Sequence, residues 1–99
     1  MCSSDLVVSL IPFDDLAGAI QDINSTPFGL ASGVFTRDLN CAFSAARSIK
    51  TGAVHINETS SSRADGMSYG GVKDSGFGRE GPRYAIREMT DEKVITVSL

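Results

Sequence analysis

The chain has 99 residues, of which 41% are hydrophobic and 21% charged, with a formal net charge of −3. That is material for one modest core, not two domains. The mildly acidic balance argues against nucleic acid or an anionic membrane as partner, since either selects clustered Lys and Arg.

The start lacks the basic and apolar stretches of a signal peptide, and no apolar run approaches the roughly 20 residues that span a bilayer. Cys2 and Cys41 have neither CxxC spacing nor a histidine pair nearby, which argues against a disulfide or a zinc site. A reduced, cytoplasmic chain is the expectation, with no metal.

Along the chain, strands and helices alternate. LVVSLI (6–11) is a continuous apolar, β-branched run, as expected of a strand buried on both faces. Asp14 is placed to cap a helix whose Leu16, Ala19, Ile20 and Ile23 share one face, with Phe13 as a staple at its entry. Pro27 and Gly29 stop it. GVFT (33–36) reads as a second strand. Asp38 caps a second helix with Leu39, Ala42, Phe43, Ala46 and Ile49 on one side. Gly52 ends that turn, and AVHIN (53–57) is a third strand.

ETSSSRADGMS (58–68) has no periodicity and is a loop. A glycine-rich stretch, GGVKDSGFGRE, runs up to Gly81. Pro82 then opens a short helix, and KVITV (93–97) reads as a final strand. The order predicts an α/β fold with a largely parallel sheet, flanking helices and a last strand free to leave the sheet.

The residues that could carry chemistry are few. The glycine loop holds four glycines, a lysine, an arginine and two acids. It matches neither GxGxxG after a strand nor the GxxxxGK[ST] of a phosphate loop, so a structural loop competes with a phosphate cradle. His55 lies on a strand with no acid or nucleophile at a recognisable spacing, which favours a packed histidine over a catalytic base. Cys41 falls among apolar helix positions and reads as a small core residue, while Cys2 belongs to the terminus. Arg63 and Asp65 are either solvated charges or substrate contacts.

Two long stretches carry a resemblance: TPFGLASGVFTRDLNCAFSAARSIKTGAVHIN, and YGGVKDSGFGREGPRYAIREMTDEKVITV. Together they resemble the C-terminal end of the aldehyde dehydrogenase catalytic domain. In that family T-x-Y/F-G-L-A-x-G-V-F-T is followed by a helix, a G-x-V-x-I-N strand, a loop, and P-F/Y-G-G-x-K-x-S-G-x-G-R-E. The resemblance covers about Val7 to Val97. Within it, INETSSSRADGMSYGGVKDSGFGREG also resembles members that act on small polar or anionic aldehydes such as lactaldehyde or phosphonoacetaldehyde.

The resemblance implies a partial catalytic domain of an enzyme that oxidises an aldehyde to a carboxylic acid with NAD or NADP. In the family, a cysteine thiolate attacks the aldehyde, hydride passes to the cofactor, and water hydrolyses the thioester. The cysteine, the general-base glutamate, the cofactor domain and the E-x-F-G-P motif precede the matching stretch in the family. MCSSDL stands where E-x-F-G-P would end, so residues 1–6 are expected to be foreign to the family and the chain to be truncated. No catalytic and no cofactor-binding residue is then expected within these 99, and the chain alone is expected to be inactive.

The resemblance further implies that 7–90 is part of the catalytic domain and 91–99 an oligomerisation strand. The enzyme would be a homodimer or tetramer. Tyr69 would line the substrate tunnel, with Ser60, Ser61, Ser62 and Arg63 near its mouth. Ser68 replaces the usual proline before that aromatic. Arg79 would pair with Asp91, just ahead of the last strand; the alternative is an exposed Arg79, unpaired or paired with Glu80. A non-catalytic binding or assembly module that keeps the fold is the alternative, which the coding sequence upstream of Met1 would discriminate.

Overall fold

A computed structural model describes residues 8–99; the expectations for residues 1–6, for Cys2 and for the Leu6–Val7 start of the first predicted strand lie outside that range. The elements are α1 (Leu16–Ser25), β1 (Ala31–Val34), α2 (Leu39–Ser48), β2 (Ala53–Ile56), a 3-10 turn at Lys73–Ser75, and α3 (Pro82–Met89). β1 and β2 pair in parallel, Ala31 with Ala53 through Val34 with Ile56. Their connection is α2, because parallel neighbours need a crossover that returns the chain to the starting edge. The α/β architecture with a parallel sheet is as expected, reduced to two strands among the described residues.

Each of the first two helices starts at an aspartate whose side chain replaces a missing backbone partner. For α1 that residue is Asp15, not Asp14. Asp15 holds the extended backbone a cap requires (φ −143°, ψ 161°), and its carboxylate accepts the Gly18 N–H at 2.7 Å. For α2 it is Asp38, as expected, accepting the Cys41 N–H at 2.8 Å. The Thr36 hydroxyl in turn accepts the Asp38 N–H at 3.1 Å. α3 opens on Pro82 after Gly81, whose φ of +111° only glycine adopts readily.

α2 lies against β2, and α1 packs on α2. The most deeply buried side chains are small ones on that seam, Ala42, Ala45 and Ile49. On the other side of the seam Phe13, Leu16, Ile20, Val34, Cys41 and Ile49 line an apolar groove. The polar bond set of Asn24 ties the helix ends together: its side chain donates to the Ser48 carbonyl at 2.8 Å and accepts the Lys50 N–H at 2.7 Å.

Four strand expectations need correction. The second strand occupies 31–34, not 33–36, because its extent is set by its parallel partner. The third stops at Ile56, since Asn57 turns to a left-handed φ of +57°. Residues 8–11 and 93–97 form no strand at all. Both are apolar and extended in character, yet a strand exists only as part of a ladder, and neither lies beside a partner edge among the described residues. Their side chains stand in solvent: Leu10 is 89% exposed and Val94 82%.

Candidate functional site

Where β1 and β2 end together, Asn57 joins them. Its N–H donates to the Val34 carbonyl at 2.8 Å, and its side-chain oxygen accepts the Thr36 N–H at 2.9 Å. From that anchor the chain leaves the sheet as the irregular loop 58–68. Gly33 in β1 permits the loop to cross close by: a Cβ there would stand 2.5 Å from the Glu58 carbonyl oxygen and 3.1 Å from the Ser60 nitrogen. Short turns fold the loop, with Ser62 N–H donating to Thr59 and Met67 N–H to Ala64.

At the loop's far end Tyr69 enters a two-residue antiparallel bridge with Glu80. Tyr69 N–H donates to the Glu80 carbonyl at 3.2 Å, and Glu80 N–H returns a bond of 2.6 Å. This bridge brings three side chains together. The Arg63 guanidinium carbon sits 4.8 Å from the centre of the Tyr69 ring, within range of a cation–π attraction. Arg63 Nη2 also meets Glu80 Oε2 at 3.2 Å.

Arg63 and Tyr69, both expected at the site, are therefore neighbours. Ser60, Ser61 and Ser62 are on the same loop but do not join them. The Ser61 hydroxyl is bonded to that of Thr59 at 2.9 Å, and none of the three serine hydroxyls bonds Arg63 or Tyr69 among the described residues. Glu80 is the member that sequence reasoning missed as a partner of Arg63. Its only signal was an acid beside Arg79, and the sequence offered it to Arg79 and not to Arg63.

The arrangement offers an aromatic face and a cationic fork on an exposed rim. Side-chain exposures of 51% for Arg63 and 64% for Glu80 place their pair among those contributing about 0.2–1 kcal/mol. Such a pair is exchangeable.

The glycine loop has a structural occupation. Lys73, itself left-handed at φ +55°, sends its ammonium to the Asn24 and Thr26 carbonyls, both at 3.0 Å. Those carbonyls are at the C-terminus of α1, where unpaired acceptors and the helix dipole favour a cation. Beside it, Asp74 N–H donates to the Pro27 carbonyl, Val72 N–H to that of Gly29, and Gly29 N–H to the Ser75 hydroxyl at 2.8 Å. The stretch is a clasp on the end of α1.

Arg79 closes the other end of the loop. Its guanidinium donates to the Gly71 carbonyl at 2.9 Å and the Gly78 carbonyl at 2.7 Å, and its N–H to Glu88 at 3.2 Å. The expected Arg79–Asp91 pair is not formed: Arg63–Glu80 is the ion pair among the described residues. The guanidinium's Nη1 is engaged by the Gly71 and Gly78 carbonyls, and Asp91 stands exposed on the 90–99 segment. Lys73 and Arg79 are thus both turned to main-chain oxygens, which gives the loop a structural role.

The remaining candidates are bland. His55 is half-buried in β2 opposite Gly33. Cys41, a free thiol, is half-buried on the first turn of α2 and faces the apolar groove. No helix among the described residues is long and apolar enough to cross a membrane.

Comparison with known proteins places this geometry. The pattern of the aldehyde dehydrogenase family matches residues 7–95. The chain is 46% identical to 3-sulfolactaldehyde dehydrogenase of Priestia aryabhattai over 92 residues, which is 93% of this chain and 19% of that protein. It is 44% identical to lactaldehyde dehydrogenase of Methanococcus aeolicus, over 93% of this chain and 20% of that one. The chain thus spans about a fifth of the length of the curated relatives it matches.

Among solved structures it superposes on glyceraldehyde-3-phosphate dehydrogenase from Methanocaldococcus jannaschii complexed with NADP. There the TM-score is 0.76 at 44% identity, covering 79% of this chain and 17% of that one. It also superposes on aldehyde dehydrogenase 21 from Physcomitrella patens in complex with the reaction product succinate. The TM-score is 0.75 at 44% identity, covering 78% and 16% respectively. Family pattern, relatives and superposed structures agree along nearly the whole length: the chain belongs to the aldehyde dehydrogenase family.

Proposed function

We propose that this segment works within an NAD(P)-dependent enzyme that oxidises a short, polar or anionic aldehyde to its carboxylic acid through a cysteine thioester. The segment's part is recognition. Tyr69 forms a wall of the substrate passage, and Arg63 at its rim meets the end of the aldehyde remote from the carbonyl. Ser60, Ser61 and Ser62 add hydroxyls along the same loop. The nucleophilic cysteine, the general base and the nicotinamide site belong to parts of the enzyme outside these residues, so the 99 residues alone are inactive. Segment 91–99 supplies a subunit contact in a homodimer or tetramer, in the cytoplasm.

The observation that carries the reading is Arg63 lying over Tyr69 at the end of the loop leaving β2. A guanidinium on an aromatic face presents its remaining N–H groups in a planar fork, which suits sulfonate or carboxylate oxygens. The chain's similarity to 3-sulfolactaldehyde dehydrogenase and lactaldehyde dehydrogenase supports the same substrate class.

Kinetics of the whole enzyme with Arg63→Ala test it. Efficiency toward 3-sulfolactaldehyde is expected to fall about tenfold or more, the scale of one lost charge-assisted contact, with a smaller change for lactaldehyde. Unchanged efficiency toward the sulfonate, or a preference for long alkyl aldehydes in both enzymes, would refute it.

A further inference from the structure

We propose that Asn57 is a positioning residue for Arg63: it fixes the direction in which the loop that carries the guanidinium leaves the sheet. The inference rests on the reading that Arg63 faces the substrate. Loop 58–68 contains no helix or strand, so its course depends on how its ends are held. Arg63 lies midway between two holds, Asn57 at one end and the Tyr69–Glu80 bridge at the other.

The hold at Asn57 has three parts. Its N–H adds a bond beyond the parallel ladder, to the Val34 carbonyl at 2.8 Å. Its backbone turns to φ +57°, in the left-handed region that Asn visits more readily than most residues with a side chain. Its side-chain oxygen accepts the Thr36 N–H at 2.9 Å, which ties the exit of β2 to the exit of β1. Thr36 is itself fixed, because its hydroxyl accepts the Asp38 N–H and Asp38 caps α2. The turn sends Glu58, Thr59 and Ser60 back across β1 at Gly33, where a Cβ would stand 2.5, 3.3 and 3.1 Å from their main-chain atoms. All of these bonds run within the segment, and none depends on which of its outer faces is covered.

Without the Asn57 side-chain bond the loop has more than one exit direction. Arg63 then meets an anionic substrate group only in the fraction of molecules that keep the productive one, and apparent affinity falls in proportion to that fraction. A neutral hydroxyaldehyde draws less on Arg63 and loses less. Asn57 thereby acts on selectivity through Arg63, without touching the substrate.

The test compares Asn57→Gly, Arg63→Ala and the double variant in the whole enzyme. Glycine adopts the left-handed φ without strain, so Asn57→Gly removes the side-chain bond while the turn stays allowed. The readout is the ratio of kcat/KM for 3-sulfolactaldehyde to that for lactaldehyde, in which any loss of folded enzyme cancels. Asn57→Gly is expected to lower the ratio about two- to fivefold, within the weight of one net hydrogen bond. The change should lie in KM for the sulfonate, with kcat unmoved, and the double variant should match Arg63→Ala alone. Where Asn57→Gly yields no enzyme, Gly33→Ala displaces the loop from its crossing and is read in the same way. If Arg63→Ala lowers the ratio but Asn57→Gly does not, or lowers it equally when Arg63 is already absent, the positioning role is refuted while the substrate reading stands. An unchanged ratio in Arg63→Ala overturns both.

Discussion

A methyl group on Gly52 would collide with the carbonyl oxygen of Gly70, with the Leu30 carbonyl 2.9 Å away on another side. Gly52 N–H also donates to the Gly29 carbonyl at 3.0 Å, the same oxygen that accepts from Val72. This one backbone crossing holds the entry to β2, the end of α1 and the glycine loop together. The obstacles are main-chain atoms, which cannot rotate away as a side chain would. Gly52→Ala is expected to destabilise the whole enzyme by about 1–3 kcal/mol or more, read as a lower denaturation midpoint. A midpoint unmoved by the substitution would contradict the crossing.

Lys73 gives a milder case: Lys73→Met keeps the stem and removes the ammonium from two helix-end carbonyls. The expected loss is about 0.5–2 kcal/mol by the same measurement. At this scale the sequence was partly legible. Arg63 and Tyr69 could be named from a motif, but their partner Glu80 could not, since pairing across 17 positions depends on a loop of no periodicity. The Arg79–Asp91 pair failed for a related reason. A sequence shows which charges exist but not which carbonyls will reach a guanidinium first.

The helices were the most legible elements. Their apolar spacing and capping aspartates are local signals, and the errors were small, as with Asp15 in place of its neighbour Asp14. Asp38→Ala and Asp15→Ala should each cost about 1 kcal/mol, because each leaves one N–H, of Cys41 or Gly18, without its acceptor. Asp38→Asn, which keeps an oxygen at the cap, should recover most of the loss. Equal losses for Asn and Ala would mean that the negative charge, not the hydrogen bond, is what α2 requires.

Strands were less legible, because their existence depends on a partner. The parallel pair was found from its β-branched runs, yet the ladder itself fixed the ends at Val34 and Ile56. Residues 8–11 and 93–97 carry the same composition and form no ladder. Composition records a capacity to pair, and among the described residues neither segment lies beside an edge of the β1–β2 sheet.

That unmet demand is largest for the molecule as a whole. The accessible surface is 8488 Å², against about 5,400 Å² for a folded monomer of this mass. The radius of gyration is 18.3 Å, where a compact chain of about 100 residues has about 13 Å. Among the described residues the buried core amounts to two alanines and an isoleucine, while Phe13, Phe28, Phe35, Phe43 and Phe77 all stand more than half exposed. The excess of about 3,000 Å² is the size of an obligate interface. Exposed surface that carries this many large apolar side chains is stable only when covered.

The two-stranded sheet offers no independent remedy, since a pair of strands with a single crossover helix leaves both outer edges open. The 99 residues on their own are therefore expected to bind a hydrophobic dye strongly, to self-associate as concentration rises, and to melt without a cooperative transition. If the segment works within a larger enzyme as proposed, co-expression with the rest of that enzyme should suppress all three behaviours, because the same faces would then be covered. A soluble monomer of the isolated chain that unfolds reversibly in one sharp transition would contradict this. It would mean that the α1–α2–β2 seam around Ala42, Ala45 and Ile49 is by itself a sufficient core.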